Sequence, residues 1–380
     1  MKLLRLFSSL QLTIICLTIS MVLIFIGTLD QVHLGIYGAL EKYFRSFIVF
    51  WTVPNLGWKI PFLPGGYLVG SVLLVNLLTA HFVRYKPGWK KLGISLIHLG
   101  VVVLLLGELL TSLFQSDSQM ILDEGATKSY SVSILETELV LIDTSDPEKD
   151  TVLSIPAARL ADGGSIQHPV IPFSLEIDAF YENALIARRT PETPTSGRSA
   201  TSGLGKNLIA IEQPKTGKID ESNLVTAFIT VKTKEGPLDT WMVCNAFNEP
   251  QHFHYEDRHF EISLRKKRTY HPFKITLHDF THDRYPGTNL PKNFSSRIRL
   301  QDTDRNEDRE VLIKMNHPLR YRGLTFFQAS FANDDTTSIL QVVRNPSRHL
   351  PYIASTLIAL GLTYQFCFHL FGFFRRRKVS

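Results

Sequence analysis

Apolar residues collect in four runs along this chain, at 10–29, 64–83, 92–114 and 351–374. Each is about 20 residues long, enough for a helix rising about 1.5 Å per residue to cross the hydrocarbon core of a bilayer. None contains an internal Asp, Lys or Arg, which separates them from the buried helices of a large soluble core. Between the third and fourth runs the texture changes. Short stretches of strand type at 131–142, 173–180, 224–233, 240–246, 259–266, 273–280, 294–301, 310–315 and 336–344 alternate with turn residues. The pattern predicts an integral membrane protein with four transmembrane α-helices, three N-terminal and one C-terminal, and a large extracytoplasmic all-β antiparallel domain. The boundaries follow: a membrane region at 1–115, a β-rich domain at 116–348, and a final span with its basic tail at 349–380.

The connections carry their own signals. Residues 32–51 interleave Tyr37, Tyr43, Phe44, Phe47 and Trp51 with Glu41, Lys42 and Arg45, a composition that predicts an outer amphipathic segment at the headgroup layer. Pro54, Pro61, Pro64, Gly65 and Gly66 then break the chain before the second span. Pro87-Gly88-Trp89 predicts a tight turn between the second and third spans. The stretch 190–206, rich in Pro, Ser, Thr and Gly, reads as a mobile loop.

The mean composition, 44% hydrophobic with a net charge of +6, resembles that of a soluble protein, so the placement of charge decides more than its total. Lys2 and Arg5 precede the first span, Arg84, Lys86, Lys90 and Lys91 fill the second turn, and Arg375 to Lys378 follow the last span. Positive charge at helix ends marks the inner side, which predicts an inner-membrane, multi-pass protein with both termini cytoplasmic and the large domain on the periplasmic side. The first run reads as an uncleaved anchor. Basic clusters at membrane boundaries do not form a groove-reading element, which excludes nucleic acid as a partner and leaves the lipid bilayer. Cys16, Cys244 and Cys367 are too far apart in this layout to frame a disulfide scaffold, and Cys244 reads as a small buried hydrophobe.

Phosphate loops, HExxH, paired CxxC and GxSxG are absent from the sequence. The chemistry that remains is histidine inside the membrane. His98 stands in Ile97-His98-Leu99-Gly100, about 10 Å into the third span. A buried imidazole there serves a helix–helix hydrogen bond, proton transfer or ligation of a metal such as haem iron. Gly93, Gly100 and Gly107 form one stripe for close helix packing, and His98 points roughly 140–160° away from it, toward a partner or ligand. His81, three residues before Arg84, lies nearer the interface, so it shares a ligand with His98 only if the helices tilt. His349 and His33 flank outer membrane ends. External His252, His254, His259, His271, His278 and His282 match no metal-site spacing and read as loop histidines.

Several stretches together resemble the ResB family of cytochrome c biogenesis proteins, also called CcsB, of the system II pathway. They are Phe7-Ser8-Ser9-Leu10-Gln11-Leu12-Thr13, the Ile97-His98-Leu99-Gly100 segment, Pro272-Phe273, Tyr285-Pro286-Gly287 with Pro291-Lys292-Asn293-Phe294-Ser295-Ser296, and the run from Asn316-His317-Pro318 to Phe331. The resemblance implies a subunit that works with a CcsA-like WWD-domain membrane protein, carries haem b in transit and presents it to apocytochrome c. It implies part of a cytochrome c haem lyase or synthase complex that is not catalytic alone. His98 matches the family's intramembrane histidine and is the implied axial ligand, with His81 and His349 as weaker candidates. A cofactor-free scaffold for an envelope assembly complex is the alternative reading.

Overall fold

The computed structural model describes residues 2–53, 56–84, 88–190, 197–217, 222–288, 291–332 and 336–377. Pro54, Lys86, Pro87, the stretch 191–196 and the end of the basic tail lie outside them. The chain forms two compact units, one holding the apolar helices and the other the β-rich region between them.

The first unit contains four helices long and apolar enough to cross a membrane: α1 (Leu10–Ala39), α2 (Gly66–Arg84), α3 (Leu92–Phe114) and α4 (Leu350–Arg377). Ser9 starts α1 by accepting the Leu12 amide on its hydroxyl, satisfying a free N–H of the first turn. The helix runs ten residues past the apolar stretch that announces it. Asp30 is retained because Lys42 and Tyr43 each reach its carboxylate at 2.6 Å. The amphipathic segment expected at 32–51 is therefore not a separate interfacial helix. It is the end of α1, bent at Gly35 with φ +69°, then a π-turn at Leu40–Phe44 and the strand β1 (Ile48–Thr52). β1 pairs antiparallel with β2 (Lys59–Pro64), so the break before the second span is a two-stranded hairpin that contains Pro61 and Pro64.

α1 and α2 are joined by a buried polar side chain. Asn76, 3% exposed, accepts from the Thr13 hydroxyl at 2.6 Å and donates to the carbonyls of Phe7 and Ser9 at 2.6 and 3.0 Å. Asn76→Leu is expected to cost about 1 kcal/mol, because it strips three hydrogen bonds where water is scarce. Thermal unfolding in detergent measures this, and an unchanged midpoint contradicts the role.

The second unit is antiparallel throughout its named strands: β3 (Ser116–Asp123), β4 (Thr127–Asp143), β5 (Thr151–Pro156), β6 (Gly164–Gln167), β7 (Ser174–Tyr181), β8 (Ala184–Arg188), β9 (Leu208–Glu212), β10 (Thr226–Thr233), β11 (Gly236–Cys244), β12 (Gln251–Tyr255), β13 (Arg258–Arg284), β14 (Pro291–Asp302), β15 (Glu307–Lys314), β16 (Leu319–Tyr321), β17 (Leu324–Ala332) and β18 (Thr337–Arg344). The large sheet has the order β15-β14-β13-β4-β3-β18-β17-β16, with β12 on β13 and β5 on β4. A second sheet, β11-β10-β7-β6, covers one half of it.

One strand serves two cores. The first half of β13, with Phe260, Ile262 and Leu264, packs with Leu139, Leu175, Ile229 and Trp241 in a sandwich. Its second half, with Phe273, Ile275 and Leu277, packs with Met120, Ile298, Phe326 and Leu340. β15, at one end of the strand order, also meets β16 and β17 at the other, so this half of the sheet curls around its core. The sequence predicts separate strands at 259–266 and 273–280. They are one strand whose pairing with β4 shifts register at Lys266/Arg268 and at Tyr270/Ile275, which interrupts the alternation.

The described part of the expected mobile loop is anchored. Arg198 bridges Ala210, Ala200 and Gly205 are buried, and Leu204–Asn207 forms a turn of 3-10 helix. Gly205 sits against the Met242 side chain, where a Cβ would come within 2.5 Å.

Candidate functional site

The third span is set by its glycines. A Cβ on Gly93 would meet the Gly361 carbonyl of α4 at 2.6 Å, one on Gly100 the Ile358 side chain at 2.6 Å, and one on Gly107 Leu350 at 3.0 Å. All three glycines therefore face α4, and the backbones approach as only glycine permits. Tyr364 of α4 adds a hydrogen bond to the Trp89 carbonyl at 3.0 Å. At the other end, Asn345 donates to Thr111 and Gln115 at 3.3 and 3.2 Å.

With one face of α3 held by α4, His98 turns to α2. There its ring meets that of His81, centroid to centroid at 6.5 Å with the planes inclined by 73°. The sequence places these histidines at different depths, and the structure brings them side by side. Phe82 stacks edgewise on His81 at 6.2 Å. α2 and α3 are also joined at their opposite ends, where the Tyr67 and Ser112 hydroxyls lie 2.7 Å apart.

His349 is not part of this group. It stands at the start of α4, roughly 15 Å along the helix from the level of His98, and its Nε2 accepts a hydrogen bond from Arg348 Nε at 3.1 Å. Among the candidate histidines it is His81 and His98 whose rings the structure brings together, and an imidazole of either could hold a metal such as haem iron.

The second unit has a different centre of gravity, around the run from 316 to 331. Tyr321 and Leu324 pair across a two-residue turn made by Arg322 and Gly323, both at positive φ, +44° and +79°. That is the backbone of a tight hairpin whose twist matches the strands, and it normally favours Asn-Gly. Here the arginine is retained by Asp302, which is 2% exposed. Arg322 grips both its oxygens, with Nη2 at 2.8 Å from Oδ1, and the Tyr321 hydroxyl donates to it at 2.6 Å. These donors hold the Asp302 carboxyl at a pKa of about 2, with the Arg322 bond the largest cause. Gln328 links Ser296 and Ser338 at 2.6 and 3.1 Å. Beside this network lies an open cleft of about 450 Å³, lined by Phe294, Met315, Pro318, Arg320, Phe327 and Gln328.

Cys244 is buried at 1% exposure, a free thiol donating weakly to Asn245 at 3.7 Å. His252, His254 and His259 stack on one strand pair, at 5.2 and 4.6 Å between ring centres. Among the described residues no group of three or more His, Cys, Asp or Glu is arranged to hold a metal ion. Sequence reasoning missed the Asp302 clamp, because Asp302 precedes its arginine by twenty residues and nothing in its own segment marks it.

Comparison with known proteins bears on the second unit above all. Residues 254–348 match the ResB-like family. Protein NrfI of Wolinella succinogenes is 34% identical over 93 residues, covering 24% of this chain and 10% of that protein. Cytochrome c biogenesis protein CcsB of Synechococcus sp. (strain CC9605) is 40% identical over 77 residues, covering 20% of this chain and 17% of the relative. The CcsB of Prochlorococcus marinus (strain MIT 9313) is 35% identical over 78 residues, covering 20% of this chain and 17% of the relative. The chain thus spans less than a fifth of the length of these relatives. The resemblance to the ResB and CcsB family read from the sequence is borne out over this segment, on a membrane protein with four apolar helices.

Proposed function

We propose that this chain is a cytochrome c biogenesis subunit that holds haem as cargo within the membrane at His98 and passes it outward for attachment to apocytochrome c. The observation that carries the reading is His98 in an apolar helix with its ring turned to His81, on a chain whose β domain matches the ResB-like family. Haem is a large, apolar, doubly charged molecule that aggregates in water. A helix-lined site with an imidazole keeps it dispersed and oriented, and the chain's own contribution is to bind, orient and exclude water.

A CcsA-like multispan protein carrying the WWD segment is the partner this reading requires, since this chain holds no tryptophan-rich segment of that kind. The basic clusters at the helix ends support cytoplasmic termini and an inner-membrane location with the β domain on the periplasmic side.

The test is the visible spectrum of the full chain purified in detergent with such a partner. His98→Ala is expected to reduce bound haem more than about tenfold, with recovery on adding imidazole, because one iron–nitrogen bond is lost and replaced. Absence of haem from the wild-type complex made in haem-replete cells rejects the reading in favour of a cofactor-free scaffold.

A further inference from the structure

We infer that the β1–β2 hairpin is an interfacial anchor: it lies in the lipid headgroup layer beside α1 and α2, with its aromatic side chains against lipid and not against a protein partner. The inference is independent of the haem-handling reading above. The hairpin joins the end of α1 to the start of α2, so it belongs to the membrane surface opposite Arg84, Lys90 and Lys91. Its root is packed. Val49 and Leu63, partners in the ladder, share an apolar cluster with Leu23, Tyr43 and Val69, and the Phe47 ring meets that of Tyr67 in the first turn of α2 at 5.9 Å.

The rest of the hairpin is open. Ile48, Phe50, Trp51, Trp58, Ile60 and Phe62 are each at least 44% exposed. Consecutive strand residues point to opposite faces, so Phe50 and Trp51 make both faces apolar. A two-stranded hairpin is marginal in water by itself, and one that carries bare aromatic rings on both faces needs apolar surroundings. A docked protein covers one face of such a hairpin, whereas lipid reaches both.

Composition and backbone together set the depth. Residues 48–64 hold no Asp or Glu, one Lys at Lys59, and two of the chain's four tryptophans. Tryptophan concentrates where hydrocarbon meets headgroups, and a lone lysine sends its ammonium to the phosphates while its stem stays among the chains. Each strand of this pair has one neighbour, so each presents an outer row of N–H and C=O groups. Hydrocarbon would leave those groups unsatisfied, and the headgroup layer supplies water and ester oxygens to them. Rooted on α1 and α2 and spread in that layer, the hairpin fixes the depth and tilt of the helix pair.

The test uses the full chain with Trp89→Phe, reconstituted in phosphatidylcholine vesicles, and reads tryptophan fluorescence against brominated lipids. Trp89 is removed because it stands in the turn at the opposite surface, and the buried Trp241 is subtracted with a variant that also carries Trp51→Phe and Trp58→Phe. Lipid brominated near the headgroup is expected to quench Trp51 and Trp58 at least about twofold, lipid brominated near the bilayer centre less, and aqueous iodide little. Photoactivatable phosphatidylcholine gives a second readout on the unsubstituted chain, with adducts expected within residues 48–64.

Strong iodide quenching without an effect of brominated lipid places the hairpin in water and overturns the inference. Quenching that is stronger from the bilayer centre than from the headgroup region overturns it too. Lipid quenching and adducts that vanish as the protein-to-lipid ratio rises, or when a multispan partner is added, assign the surface to protein and reject the anchor. If the substituted chains lose their far-ultraviolet circular dichroism, the adducts decide alone, and their absence from 48–64 rejects it.

Discussion

Gly93→Leu is expected to separate α3 from α4 and destabilise the helical unit by about 2–3 kcal/mol, the usual cost of forcing a side chain into a filled contact. A Cβ alone would come within 2.6 Å of the Gly361 carbonyl and 2.8 Å of Gln365. The first of these is backbone and cannot turn aside, so the helices must move apart. The same substitution at Gly372, where a Cβ meets nothing within 4 Å, is the control. It exchanges a poor helix former for a good one and is expected to leave the midpoint unchanged or raise it slightly. Thermal unfolding of the full chain in detergent reads both. Equal midpoints for the two variants contradict the packing account.

The helical unit was legible because lipid leaves few solutions. A run of about 20 apolar residues must be a helix, and 100° per residue then fixes which side chains share a face. On that ground alone the glycine stripe is assigned to a neighbouring helix, as the structure has it, and His98 to a partner or ligand, whereas its ring meets His81 of the same helical unit. The choice of α4 as the glycines' partner was not legible, since nothing in the third span names its neighbour. Nor was the approach of His81 and His98, which depends on how two helices lean. Where charge compensates charge across a turn, the pattern misleads: Asp30 reads as the end of a span, yet its pairing with Lys42 and Tyr43 lets α1 continue to Ala39.

In the β domain the alternation of residues located most long strands, because one face of each is buried. It missed short ones such as β5, β6 and β16, whose few residues cannot establish a period. It also divided β13, where a bulge resets the alternation. The run from 316 to 331 reads as a family signature without disclosing its physical role. The structure assigns much of that signature to folding: Leu319, Tyr321 and Phe326 fill the core, Arg322 and Gly323 turn the chain, and Gln328 bridges two serines.

The sharpest test of that assignment is Asp302→Asn, which is expected to lower the unfolding midpoint of the β domain by roughly 5–10 °C, as loss of one partner of a buried charged pair does. Two things fail together. Arg322, only 21% exposed, is left without its carboxylate, and the left-handed backbone at Arg322 loses the grip that offsets its strain. The pH dependence follows from the same contacts. The Asp302 carboxyl is lowered from 3.8 to about 2 in the folded chain, so its contribution is fully present above pH 3.8 and disappears as the pH falls toward 2. The midpoints of the wild type and Asp302→Asn are therefore expected to differ by a constant amount at neutral pH and to converge between pH 3.8 and about 2. Arg322→Lys keeps the charge but not the two-pronged grip, and is expected to fall between them at neutral pH. A gap that persists unchanged down to pH 2 would mean that the side chain stabilises the domain through packing and not through its charge. If none of the three proteins differs at any pH, the signature owes its recurrence to something the domain binds, and the cleft between Met315 and Phe327 becomes the place to look for it.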